Sequence, residues 1–125
     1  MPKSILIVED HEALRRTLRN WIAASFPDFT CAEAASGEEA IALSTAEAPA
    51  VVLMDVELPG VNGIDAVRQI KILCPAARFV VMTQHDMTQM VQSAHDAGAH
   101  ACLAKQDIYA RLLPVLTDQL REAAR

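Results

Sequence analysis

Two hydrophobic periodicities take turns along this chain. The apolar runs Ile5–Val8, Val51–Met54 and Phe79–Met82 are four residues long and rich in β-branched side chains, as strands buried on both faces are. Between them apolar residues recur every three or four positions, the spacing of amphipathic helices. Strand one is expected at Ile5–Val8. A helix follows over His11–Ser25, with Leu14, Leu18, Trp21 and Ile22 in register and Pro27 as its stop. A weaker strand is expected at Phe29–Ala34. The next helix opens with Ser36 as a cap and Glu38 and Glu39 in its first turn, and runs to about Ala48, before Pro49. After strand three at Val51–Met54, a helix over Asn62–Leu73 carries Ile64, Val67, Ile70 and Leu73 and stops at Pro75. Strand four is Phe79–Met82, a helix over Met87–Ala97 closes at Gly98, strand five is Ala101–Ala104, and a last helix starts at Asp107. Pro114 falls inside that last pattern and removes a backbone donor, so a kink is expected there, or a turn ending near Leu113 and a fresh helix from Pro114.

Strict alternation of strand and helix implies a parallel sheet covered by helices on both faces. Five strands in a small chain favour an α/β fold of the flavodoxin-like (βα)5 type, a three-layer sandwich with strand order 2-1-3-4-5. That order sets strand one beside strand three. Strand one ends in Glu9-Asp10 and strand three in Asp55, so three carboxylates meet at the carboxyl rim, where open α/β sheets place their chemistry. Thr83 follows strand four and Lys105 follows strand five, adding a hydroxyl and an ammonium. Three like charges together are costly unless a cation compensates them. The Pro59-Gly60 and Asn62-Gly63 pairs after Asp55 are turn chemistry.

Composition narrows the picture further. The 125 residues are expected to form one domain, 1–125, with a single sizeable core. Apolar residues make up 52% of the chain, yet its longest apolar runs are far too short to span a membrane. The chain opens without a charged-then-apolar leader, so a cytoplasmic location and no membrane contact are expected. A net charge of -5 argues against direct nucleic-acid binding by this domain. The one basic cluster, Arg15-Arg16-Arg19, is read with Glu12 as a solvated helix face. Cys31, Cys74 and Cys102 are widely spaced without a CxxC pair and are read as reduced thiols. His11, His85, His95 and His100 lack HxxH or HExxH spacing, which disfavours zinc. His11 and His85 lie near the rim and are candidates to tune it, while His95 and His100 are read as surface or strand-edge residues. Met82, Met87 and Met90 are read as core filler, with a place on a partner surface as the alternative for one of them.

Glu9-Asp10, Asp55, the Leu58-Pro59-Gly60 turn with Gly63, Thr83, Gly98-Ala99 and Lys105 occur in order, the charged and hydroxyl members each at a strand end. In this the chain resembles the receiver domains of bacterial two-component response regulators over nearly its whole length. The resemblance implies a signalling phosphoacceptor rather than an enzyme. Asp55 would take a phosphoryl group from the phosphohistidine of a sensor histidine kinase or phosphotransfer protein. Asp10 and Glu9 would hold Mg²⁺, with Asp55 and the Glu57 main-chain carbonyl as further ligands. Lys105 would pair with one phosphoryl oxygen, and Thr83 would move to bond another. In this family the side chains two positions after the acceptor and after the threonine, here Glu57 and His85, flank the path of the hydrolytic water.

The chain departs from the family pattern at two places. Cys102, small and expected to be buried, stands where an aromatic residue often rotates inward on activation, so coupling of such a ring to Thr83 is lost. Gln106 replaces the proline that often follows the lysine, which excludes a cis Lys-Pro bond. The segment Thr83-Gln84-His85-Asp86 is similar to receivers that precede helix-turn-helix output domains. A transcriptional output domain or a partner protein is therefore the expected target, reached through helix four, strand five and helix five, a face that also suits a homodimer formed on phosphorylation. Two other readings stand beside this one. A receiver that is not phosphorylated would act only as a binding module. An aspartyl-phosphate phosphatase of the haloacid-dehalogenase type needs Asp-x-Asp, whereas this chain has Asp55-x-Glu57.

Overall fold

Four-residue apolar runs between turn signals leave the chain little choice but to bury strands on both faces, and the computed structural model shows where they go. It describes residues 3–85 and 87–125, so Asp86 of the segment after Thr83 lies outside the described residues. Its elements are β1 (Ser4–Val8), α1 (Glu12–Ser25), β2 (Thr30–Ala34), α2 (Gly37–Ala46), β3 (Val51–Asp55), α3 (Gly63–Leu73), β4 (Arg78–Thr83), α4 (Met87–Ala97), β5 (Ala101–Ala104), a 3-10 turn (Lys105–Asp107) and α5 (Ile108–Ala123). The strands form one parallel sheet of order β2-β1-β3-β4-β5, as the sequence predicts. Val8 pairs with Met54, and Asp55 with Met82, so β1, β3 and β4 end level at one rim.

Strand parity sorts the core. Ile5, Ile7, Val51, Leu53, Val80, Met82 and Leu103 pack with α1 and α5 through Leu18, Ile22, Leu112 and Leu116. Leu6, Val8, Val52, Met54, Phe79 and Val81 face α2, α3 and α4 through Ala40, Val67, Ile70 and Ala94. Among the described residues no helix is long and apolar enough to cross a membrane, and the three cysteines are free thiols.

The helix ends follow the sequence. Ser36 Oγ accepts from the Glu39 main chain at 3.1 Å and Asn62 Oδ1 from Asp65 at 3.0 Å, so both helices begin on side-chain caps. Gly98, with φ of 113°, closes α4 in a conformation that other residues rarely adopt.

Three expectations need correction. α2 ends at Ala46 rather than near Ala48, because Glu47 is already extended. Of the two outcomes expected at Pro114, the fresh helix does not occur, since the last helix runs unbroken from Ile108 to Ala123 with Pro114 inside it. Its lost hydrogen bond belongs to the Ala110 carbonyl, and both residues are exposed, so water replaces the missing donor. Cys102 is half-buried rather than buried.

His100 binds the main chain at the far end of the sheet. Its Nδ1 accepts from the Phe79 N–H at 2.9 Å, its own N–H donates to the Phe79 carbonyl at 2.8 Å, and its ring stacks on that of Phe79. Burial, then the nearby charges of Arg78 and Lys71, lower its pKa to about 4, so the ring stays a neutral acceptor.

Candidate functional site

Glu9, Asp55 and Lys105 meet because they share a parity. Glu9 continues the Ile5–Ile7 row, Asp55 the Val51–Leu53 row, and Lys105 follows Leu103, all on the α1/α5 side. The Lys105 Nζ lies 2.8 Å from Glu9 Oε1 and 3.1 Å from Asp55 Oδ2. Glu9 is fully buried and Asp55 is 1% exposed, so one ammonium serves two carboxylates taken out of water.

Those charges set the protonation of the site. For Asp55, burial and then the Glu9 charge raise the pKa to about 7 against the pull of Lys105. For Glu9, burial also acts upward, but Lys105 and then the His11 main chain and ring outweigh it, and the carboxyl falls to about 2. The proton therefore goes to Asp55 before Glu9. For Lys105 burial pulls down, yet its contacts with Glu9 and Asp55 prevail and keep it above its ordinary value, a firm ammonium.

A second group lies beside the first. Single ligand atoms of Glu9, Asp10 and His11 fall within 4.8 Å of one another. The His11 Nδ1 is 3.1 Å from Glu9 Oε2 and 3.4 Å from Asp10 Oδ1, and its pKa is raised by the Glu9 contact and then by the Asp10 charge. Asp10 Oδ1 is buried without a hydrogen bond, and Glu9 Oε1 and Asp55 Oδ2 have no donor beyond the Lys105 ammonium. Such underused hard oxygen acceptors suit a small divalent cation. Asp55 stands apart from the Glu9–Asp10–His11 group and is joined to it through Lys105.

The loop after Asp55 is shaped by glycine. A Cβ on Gly63 would collide with the Asp55 carbonyl oxygen, so only glycine lets α3 start this close to the acid. The Gly63 N–H bonds the Val56 carbonyl at 3.0 Å, and the Glu57 N–H reaches Asp55 Oδ1 at 3.2 Å.

Thr83 has the opposite parity, following Phe79 and Val81 on the α2–α4 side. Its hydroxyl lies 3.1 Å from Glu57 Oε2 and 3.3 Å from Oε1, and the Gln84 N–H donates to Oε1 at 2.8 Å. The Glu57 carboxylate is therefore committed to β4 rather than free to guide water. His85 is exposed, and its N–H donates to the Thr83 oxygen at 3.0 Å. Thr83, His85, Ala104 and Lys105 line a cleft of about 490 Å³ beside the acids.

Arg15 was misread as solvated. It is 14% exposed, pairs with Glu33 of β2 at 3.0 Å and donates to the Glu9 carbonyl at 3.0 Å, so it steadies the acidic turn. Arg16 and Arg19 do fit the exposed face, each only 3.9 Å from Glu33. A helix position one turn after the acidic pair, facing an acid on the neighbouring strand, is the signal that would have found Arg15.

This is a flavodoxin-like α/β protein with an acidic, lysine-bridged site at the carboxyl rim of the sheet, next to its topological switch point. The chain belongs to the response regulator receiver domain family, whose profile matches residues 5–116. It is 35% identical over 81% of its length to the transcriptional activator protein ExaE of Pseudomonas putida, and spans 47% of that protein. It is 29% identical over its full length to sporulation initiation phosphotransferase F of Bacillus subtilis, of which it covers 93%. Among solved structures, a two-component response regulator of the LuxR family from Aurantimonas sp. SI85-9A1 superposes with a TM-score of 0.88 at 33% identity, covering 97% of this chain and 86% of that one.

Proposed function

We propose that residues 1–125 act as one receiver domain that accepts a phosphoryl group on Asp55 from the phosphohistidine of a sensor histidine kinase or phosphotransfer protein. The observation that carries this reading is the Lys105 ammonium held 3.1 Å from Asp55 Oδ2 at the end of the central strand. An ammonium so placed donates to a phosphoryl oxygen as readily as to a carboxylate. A carboxylate oxygen of Asp55 attacks phosphorus, the phosphorus–nitrogen bond of the donor imidazole breaks with its electron pair going to nitrogen, and the imidazole leaves neutral, keeping the proton already on its other nitrogen. Lys105 orients one phosphoryl oxygen, and Thr83 donates to another once its hydroxyl is free.

Asp10 and Glu9, with Asp55 and the Glu57 main-chain carbonyl, would hold Mg²⁺, and the underused carboxylate oxygens fit that group. Held there, Mg²⁺ would supply positive charge against the transferring phosphoryl group. Arg15 keeps the Glu9 main chain in place for it. The altered β4–α4 segment and the face of α4, β5 and α5 would then pass the signal to a transcriptional output domain or partner, or to a second copy of the chain, in the cytoplasm. The likeness to transcription regulators supports that direction.

Intact-mass measurement after incubation with acetyl phosphate and Mg²⁺ tests the reading. Wild type is expected to gain one phosphoryl group and Asp55→Asn none. Release of free phosphate without a lasting mass gain indicates a phosphatase, and no gain at all leaves only a binding module.

A further inference from the structure

Resting on the Asp55 reading above, the contacts of Glu57 suggest a device of this chain's own. The Thr83 side chain is fully buried, and its hydroxyl has one proton to give. The His85 N–H already occupies a lone pair on that oxygen, and the neighbour placed to receive the proton is the Glu57 carboxylate at 3.1 Å. The same carboxylate takes the Gln84 N–H at 2.8 Å. Its own main chain meanwhile donates to Asp55 Oδ1. One residue thus touches the acceptor through its backbone and holds β4 and the following segment through its side chain. The Glu57 charge is also felt at Cys102, whose thiol is raised first by burial and then by that carboxylate. Cys102 pairs with Val81 of β4, two residues before Thr83.

We propose that Glu57 is a positioning residue that latches the Thr83 hydroxyl and the Gln84 main chain in the unphosphorylated arrangement, so that phosphorylation of Asp55 must break this latch before Thr83 can turn to the phosphoryl group. A single proton cannot be donated to both acceptors at once. Releasing a hydrogen bond to a charged group opposes switching, and removing the carboxylate eases it.

The probe is beryllofluoride with Mg²⁺, an acyl-phosphate mimic, titrated calorimetrically against the whole chain. Glu57→Ala is expected to bind about tenfold more tightly than wild type, equivalent to about 1.4 kcal/mol. Glu57→Gln, which keeps an acceptor oxygen, is expected to fall between the two. In a Thr83→Val background Glu57→Ala is expected to change affinity by less than about twofold, since no hydroxyl remains to be released. Circular dichroism confirms that each variant is folded, with Thr83→Ala as the substitute background if Val is not. An unchanged or weaker affinity for Glu57→Ala overturns the latch. So does an equal gain in the Thr83→Val background, or a Gln variant matching Ala, because either is the signature of simple charge repulsion. If wild type gains no phosphoryl mass and binds no beryllofluoride, the acceptor reading itself fails and the latch falls with it. Wild-type phosphorylation without the Glu57–Thr83 dependence removes the latch alone.

Discussion

Asp55→Asn is expected to stabilise the metal-free protein at neutral pH. The folded state holds Asp55 at about 7, against an ordinary value of 3.8, chiefly because it is buried and secondly because Glu9 is charged. Between those values the folded protein binds more protons at this position than the unfolded chain, so stability falls as pH rises through the window. At about 1.36 kcal/mol per pH unit, the full separation corresponds to roughly 4 kcal/mol above pH 7. Glu9 works the other way. Lowered to about 2 from 4.5, it contributes stability that is present above pH 4.5 and lost as pH falls toward 2. Asparagine keeps the shape of Asp55 without its charge and leaves Lys105 to Glu9. Urea unfolding in EDTA is therefore expected to show Asp55→Asn more stable than wild type by about 3 kcal/mol at pH 8, or roughly 10 °C in Tm, shrinking toward zero at pH 4. His11 and His100 titrate nearby but are common to both proteins. A variant no more stable than wild type at pH 8, or a gain that does not change with pH, would refute the reasoning.

Two further predictions follow from the packing. Trp21 lies on the tenth residue of α1, about 14 Å along the axis from Glu12, with its ring 5.7 Å from that of Tyr109, so Mg²⁺ is expected to leave its fluorescence nearly unchanged. Strong saturable quenching contradicts that placement. Gly63→Ala forces a methyl group onto the Asp55 carbonyl, and is expected to cost at least about 2 kcal/mol in urea unfolding and to slow acetyl-phosphate labelling; full stability and labelling would show that the loop yields easily.

The sheet was legible because parallel strands buried on both faces leave unbroken apolar runs, and Ile5–Val8, Val51–Met54 and Phe79–Met82 are such runs. Proline and glycine marked most helix ends for the same local reason. The convergence of Glu9, Asp55 and Lys105 followed from strand order alone, since parity and register do the rest. What the sequence hid depends on partners distant in the chain. Arg15 looks solvated until Glu33 and the Glu9 carbonyl are set against it. The Glu57 side chain, 26 residues from Thr83, gives no local sign that it will hold that hydroxyl. Pro114 left two outcomes open for a different reason. A proline removes one helical hydrogen bond and crowds the carbonyl four residues back, and the exposure that lets water serve the Ala110 carbonyl is a property of the fold.

His100 has a mechanical consequence. It fastens β4 to β5 at the end of the sheet opposite the acids, through a Phe79 N–H donated to its imidazole, its own N–H donated to the Phe79 carbonyl, and a stacked ring. Because its imidazole stays neutral until the pH approaches about 4, this fastening does not loosen at the pH values where His11 titrates. β4 therefore has a root that titration does not release and a tip held by the Glu57 carboxylate. A pull on Thr83 cannot be absorbed by sliding the strand along its neighbours, since that would tear the root. Once Glu57 lets go, the tip would swing instead, and α4, which begins just beyond it, would travel as the end of the lever.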